Sequence, residues 1–211
     1  MMDSQKKDHW DHVYQTKRAD QVSWTQQKPQ SLIDFIADFK LPISAKIIDI
    51  GGGDSGLTDF MLEAGFTDIT VLDISQRALD KAKNRLGDKA EKIKWIVSDI
   101  TEFSPTESYD LWYDRATFHF LTHDDQINKY KTICKNAVKG FMLMGTFSQN
   151  GPSQCSGLDI KQYSDTTLPQ LFGSDFQRIK CISENHLTPF NTTQEFIFCS
   201  FKKLKQTTTN F

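Results

Sequence analysis

Apolar residues along this chain alternate between two rhythms. Leu32, Ile33, Phe35, Ile36 and Phe39 have helical spacing, and after Pro42 the run Lys46-Ile47-Ile48-Asp49-Ile50 is β-branched and stops against three glycines. Leu57, Phe60, Met61 and Ala64 return to the i, i+3, i+4, i+7 pattern, which predicts a helix closed at Gly65. Ile69 to Asp73 predicts a strand. Ser75 is placed to cap the next helix, whose face is Ala78, Leu79, Ala82 and Leu86 and whose stop is Gly87. Strands are expected again over Ile93 to Val97, Tyr109 to Tyr113 and Phe141 to Phe147. Between the last two, Thr122 with Asp125 opens a helix that carries Ile127, Tyr130, Cys134 and Ala137.

Such alternation predicts an α/β fold with a doubly wound, mostly parallel sheet, because each helical crossover returns the chain to run beside the strand it left. The rhythm changes after Phe147. Ser148 to Ser156 reads as a loop, Leu168 to Phe172 as a short helix, and Phe176 to Ser183 with Gln194 to Phe201 as two strands. No long helix separates those two, so they are expected to pair as a C-terminal antiparallel hairpin, completing a seven-stranded sheet. At the other end Trp10, Val13 and Tyr14 share a helical face, with Trp24 on the return loop. The chain is thereby divided into an N-terminal helical or lid segment (1–44), a core (45–147), loops with a terminal hairpin (148–204) and a frayed tail (205–211), all within one domain.

Composition narrows the function. The 211 residues carry 25 Lys+Arg against 27 Asp+Glu, a net charge of −2. That balance lacks the basic excess that captures nucleic acid or an anionic membrane. No apolar run approaches the ~20 residues that span a bilayer. Met1 to Trp10 is polar, without the pattern of a secretory leader. Cys134, Cys155, Cys181 and Cys199 form no CxxC pair, which predicts reduced thiols and a cytoplasmic protein.

The stretch Asp49-Ile50-Gly51-Gly52-Gly53-Asp54-Ser55-Gly56 lies where a strand gives way to a helix, and satisfies G-x-G-x-x-G through Gly51, Gly53 and Gly56. Asp73 ends the next strand, at the spacing where a carboxylate receives the ribose hydroxyls of a nucleoside. A bound dinucleotide would set its pyrophosphate between Asp49 and Asp54, and close like charges repel. The same carboxylates suit a nucleoside that carries positive charge. S-adenosylmethionine (SAM) has an ammonium and a sulfonium and no phosphate.

On these residues the chain resembles the class I SAM-dependent methyltransferases from about Ala45 to Phe147. The resemblance implies that Asp49, Gly51, Gly52 and Gly53 cradle the methionine part and that Asp73 binds the ribose with Ile74 beside the adenine. It implies further that Asp99, with Ile100, meets the adenine amino group and that Asp114 stands beside the transferable methyl. Trp10, Tyr14 and Trp24 are similar to the leading segment of some small-molecule and protein-lysine methyltransferases, a much less specific likeness.

Methyl transfer from a sulfonium is an in-line displacement that needs alignment and exclusion of water, with a base only where the nucleophile must lose a proton. Asp114-Arg115-Ala116-Thr117-Phe118-His119-Phe120 is the stretch to supply such groups: Asp114, Arg115 and His119 are the catalytic candidates. His119 accepts a proton or orients the substrate, or is a satisfied core histidine. Arg115 binds an anionic group or pairs with an acid. Phe118, Cys155, Tyr163 and His186 are substrate-side candidates, against core packing for each. His119, Cys155 and His186 have no ligand spacing, so no metal is expected. The expected acceptor is an N, S or O nucleophile of a small molecule. The alternatives are a protein lysine, a nicotinamide-linked oxidoreductase, and a SAM-binding protein without chemistry.

Overall fold

The computed structural model describes residues 2–26 and 29–205. Helices α1 (Met2–Thr16) and α2 (Gln30–Phe39) lead into β1 (Lys46–Ile50), α3 (Leu57–Glu63), β2 (Asp68–Asp73), α4 (Gln76–Leu86), β3 (Ile93–Val97) and β4 (Tyr109–Arg115). Then follow α5 (Asp124–Ala137), β5 (Val138–Phe147), the short strands β6 (Gln154–Cys155) and β7 (Leu158–Asp159), α6 (Thr167–Phe172), β8 (Phe176–Leu187) and β9 (Thr193–Lys203). Seven strands form one sheet in the order β3-β2-β1-β4-β5-β9-β8. The first five pair in parallel, β9 pairs antiparallel with β5, and β8 closes the edge antiparallel to β9.

The side-chain period of a strand sorts the core into two layers. Ile48, Ile50, Trp112, Met142 and Met144 point to one face, where Tyr130 and Cys134 of α5 and Leu168 and Phe172 of α6 cover them. Their chain neighbours Ile47, Leu111, Tyr113 and Leu143 point to the other, against Leu32 and Phe35 of α2, Met61 of α3 and Leu79 of α4. The strand order reverses direction between β1 and β4, the place where open α/β sheets leave a crevice beyond their C-terminal ends.

Several expectations need correction. Helix α5 begins one residue later than Thr122 suggests, because His123 takes the extended cap position and its N–H donates to the Gln126 side chain. The expected loop over 148–156 runs into a small hairpin over 154–159, whose two central residues, Ser156 and Gly157, have φ of 51° and 76°. Two of the four thiols are not reduced: a disulfide joins Cys181 and Cys199, which stand directly opposite each other on β8 and β9. Cys134 and Cys155 are free and buried. Residues 206–211 of the expected tail lie outside the described residues.

Candidate active site

A cavity of about 200 Å³ opens at the C-terminal ends of β1, β2 and β4. Its floor is the turn after β1. Gly51 has φ +65°, and a Cβ there would stand 1.8 Å from Thr117 Oγ1. A Cβ on Gly52 would meet Asp49 Oδ2 at 2.6 Å. Thr117 Oγ1 donates to the Ile50 carbonyl at 3.1 Å, so the loop after β4 braces the loop after β1. Gly56, the last glycine of the motif, has open space around it and no positive φ. The steric need lies in the consecutive glycines.

Carboxylates crowd this floor. Asp49 is 2% exposed, and its Oδ2 has no hydrogen-bond partner among the described residues. Burial first, then the like charges of Asp114 and Asp73, push its pKa well above the usual carboxylate range. Burial also raises Asp73 to about 7, against the pull of backbone N–H groups from Ser75, Gly53 and Ile74. Asp54 differs. Arg85 Nε donates to Asp54 Oδ1 at 2.8 Å and Arg85 Nη2 to the Ser55 carbonyl at 3.0 Å, while Nη1 pairs with Asp59. Asp54 is thus paired from α4, which leaves Asp49 and Asp73 as the carboxyls a cation in the cavity would ionise. Ile74, Asp99 and Ile100 line the wall beside Asp73. Asp99 Oδ1 accepts from Thr101 N–H at 2.7 Å and Thr101 Oγ1 at 2.8 Å, which holds that turn closed.

Helix α1 lies across the opening. Trp10 and Tyr14 reach the cavity, together with Trp24 from the following loop. The rings of Trp10 and Trp24 meet edge to face at 5.6 Å, and Trp10 contacts Phe120 at 5.2 Å. Asp11 docks the helix: its Oδ1 accepts from Ser75 Oγ at 2.6 Å and from Arg77 N–H at 3.3 Å, at the start of α4. On the β5–β9 side the wall comprises Tyr113, Arg115, Phe147, Cys155 and Phe196.

The remaining predicted residues sit elsewhere. Asp114 is fully buried on the opposite face of β4, where Tyr130 Oη donates to its Oδ2 at 2.6 Å and the N–H groups of Thr117 and Phe118 donate to Oδ1. Burial raises its pKa to about 6. His119 is fully buried, stacks on Phe147 at 4.6 Å, and accepts from Phe147 N–H at Nδ1. Burial, then the nearby Arg115 charge, lowers it to about 3, so the ring is neutral. Phe118 and Tyr163 pack against each other at 5.4 Å within the core. His186 Nε2 is 2.6 Å from the Ser23 carbonyl and pins that loop. Gly53 passes beneath Tyr14, whose hydroxyl would lie 2.8 Å from a Cβ there. The sequence reading missed Asp11, Arg85, Thr117 and Phe196, whose partners are 26 or more residues away wherever they act on the site. Of these only Thr117 stood in a stretch already under scrutiny. Among the described residues no cluster of three or more His, Cys, Asp or Glu side chains has the geometry to hold a metal.

A Rossmann-like sheet with a glycine turn, a strand-end acid and a cavity beyond its C-terminal edge defines a nucleoside-binding α/β protein. Residues 47–140 match the methyltransferase domain family. A methyltransferase domain is thereby matched over the stretch that carries the glycine turn, Asp73 and Asp114, a little under half of the chain. Malonyl-[acyl-carrier protein] O-methyltransferase of Anoxybacillus flavithermus is 38% identical over 106 residues, covering 48% of this chain and 38% of that protein. EEF1A lysine methyltransferase 2 of Homo sapiens is 28% identical over 155 residues, 65% of this chain and 66% of that protein. The chain therefore matches less than two thirds of the length of either relative. The fold is that of a SAM-dependent methyltransferase from Anabaena variabilis, with a TM-score of 0.72 at 14% identity, over 97% of this chain and 96% of that one.

Proposed function

We propose that this chain transfers the methyl group of SAM to an N, S or O nucleophile of a small molecule. The observation that carries this reading is the buried Asp49 carboxylate, with Oδ2 unpartnered, beside Asp73 in one cavity. Buried carboxylates without partners are costly, and a cation relieves that cost where a pyrophosphate would add to it. The residues present therefore fit the donor.

In this reading Asp49 and the turn at Gly51 and Gly52 receive the methionine part, Asp73 the ribose, and Ile74, Asp99 and Ile100 the adenine. When bound, the donor supplies an electrophilic methyl on a sulfonium. The protein's share is alignment and dryness: Trp10, Tyr14 and Trp24 cover the cavity, and Tyr113, Phe147 and Phe196 shape the side where the acceptor enters. Neither His119 nor Asp114 serves as a general base. His119 is neutral and walled off, and Asp114 is committed to Tyr130, so both act as positioning groups, His119 for the end of β5 and Asp114 for the loop after β4.

The likeness to a lysine methyltransferase supports a second reading, in which the acceptor is a protein lysine. The net charge of −2 supports neither a nucleic-acid acceptor nor attachment to an anionic membrane. No helix among the described residues is long and apolar enough to cross a membrane. Incubation with labelled SAM and fractionated cell extract tests the reading. Label in small metabolites is the expected result; label in protein supports the lysine reading, and no transfer at all, with SAM bound, leaves a binding protein without chemistry.

A further inference from the structure

The proposed methyl-acceptor side of the cavity holds one charge whose main-chain and ring contacts leave it half paired. Arg115 Nη1 donates to the Trp24 carbonyl at 3.0 Å, and the guanidinium lies 4.9 Å over the Phe196 ring. Nε and Nη2 are buried and have no hydrogen-bond partner among the described residues. Those two N–H groups share one edge of the planar group, the edge that receives a carboxylate through two parallel bonds. Asp49 and Glu184 influence its charge, but neither carboxylate hydrogen-bonds that edge. The side chain contacts the Phe196 ring of β9 and the main chain at Trp24, and its charge also acts on Asp49 beside the glycine turn. Cys155, the hairpin residue on this wall, holds its proton, since burial pushes its pKa up to about 11. It offers no counter-anion.

From this arrangement we infer that Arg115 is a specificity-determining residue whose Nε–Nη2 edge binds a carboxylate on the methyl acceptor, with the acceptor's apolar body against Phe147, Phe196 and Trp24. The inference rests on the methyltransferase reading and sharpens it. A buried guanidinium gains most from an anion that arrives desolvated. It disfavours a lysine acceptor, whose ammonium would enter the same chamber against like charge.

The test uses the full chain loaded with S-adenosylhomocysteine (SAH), the demethylated product, and titrates benzoate, phenyl phosphate and benzylamine by calorimetry. Benzoate is expected to bind at least tenfold more tightly than benzylamine. Arg115→Met is expected to weaken benzoate at least tenfold, with Arg115→Lys between the two, while SAH affinity stays within threefold. Phenyl phosphate binding more tightly than benzoate would overturn the carboxylate assignment in favour of a phosphate. Absence of benzoate binding to the wild-type protein, or tighter binding of benzylamine, overturns the inference without recourse to any variant. A loss of SAH affinity in Arg115→Met with benzoate unaffected would give the residue to the donor instead. Failure of the wild-type protein to bind SAH at all would remove the methyltransferase reading itself, a separate result.

Discussion

The cavity has two unlike halves. Under the turn after β1 stand the buried carboxyls of Asp49 and Asp73, which burial holds towards their protonated forms; beside β5 and β9 the group is a cation, Arg115, among aromatic rings. Each half holds a buried polar atom without a hydrogen-bond partner among the described residues, Asp49 Oδ2 in one and Arg115 Nε and Nη2 in the other, which costs stability. Each half is built for a ligand of opposite sign. The contrast separates donor from acceptor by charge, with the attraction between Asp49 and Arg115 coupling the two sides.

The largest effect that breaks this contrast is expected from Asp49→Asn, which keeps the shape and removes the charge. SAH should bind about 100-fold more weakly, roughly 2.7 kcal/mol at 1.36 kcal/mol per decade. Benzoate binding at Arg115 should not weaken, since a nearby carboxylate that competes for the guanidinium charge is removed; calorimetry of both ligands checks this. Gly51→Ala comes next. A Cβ at φ +65° and 1.8 Å from Thr117 Oγ1 must displace the brace between the two loops. A thermal melt should show a loss of about 1–3 kcal/mol, with SAH affinity down about tenfold.

A smaller effect sharpens the comparison through pH. Asp73 and Asp114 are raised to about 7 and about 6 by burial. Groups raised in the folded state contribute stability that is present at low pH and lost as pH rises through those values. His119 has the opposite sign: lowered to about 3, it contributes stability above its ordinary value of 6.5 that is lost as pH falls. The unliganded protein should therefore soften between about pH 4 and 7 on the carboxylate side. SAH, whose ammonium favours ionised Asp49 and Asp73, should bind about three- to tenfold more tightly at pH 8 than at pH 6. Melts and titrations across that range read both slopes.

Much of the frame was legible in the sequence because it is local. The β-branched runs, the glycine turn and the strand-end acid are set by neighbours in the chain, and all seven strands of the sheet fall where the pattern predicts. What the sequence hid depends on partners far apart. Asp54 looks like a cavity charge until Arg85, 31 residues on, is seen to neutralise it. Asp114 and Arg115 are adjacent in sequence, yet the strand period sends one to Tyr130 in the core and the other to the cavity. His119 sits in a stretch rich in chemistry, and only the packing against Phe147 reveals a neutral core ring. The Cys181–Cys199 bond follows from the hairpin register, which runs unbroken from Leu187 opposite Thr193 to Lys180 opposite Ser200 and is set by where the turn falls.

The most direct test is a calorimetric titration of the wild-type protein near neutral pH with SAM, SAH and NADH in turn. Saturable binding of SAM and SAH, with no heat from NADH at concentrations about 100-fold higher, is the predicted result for a floor that favours cations. Tight binding of NADH with none of SAM would contradict it.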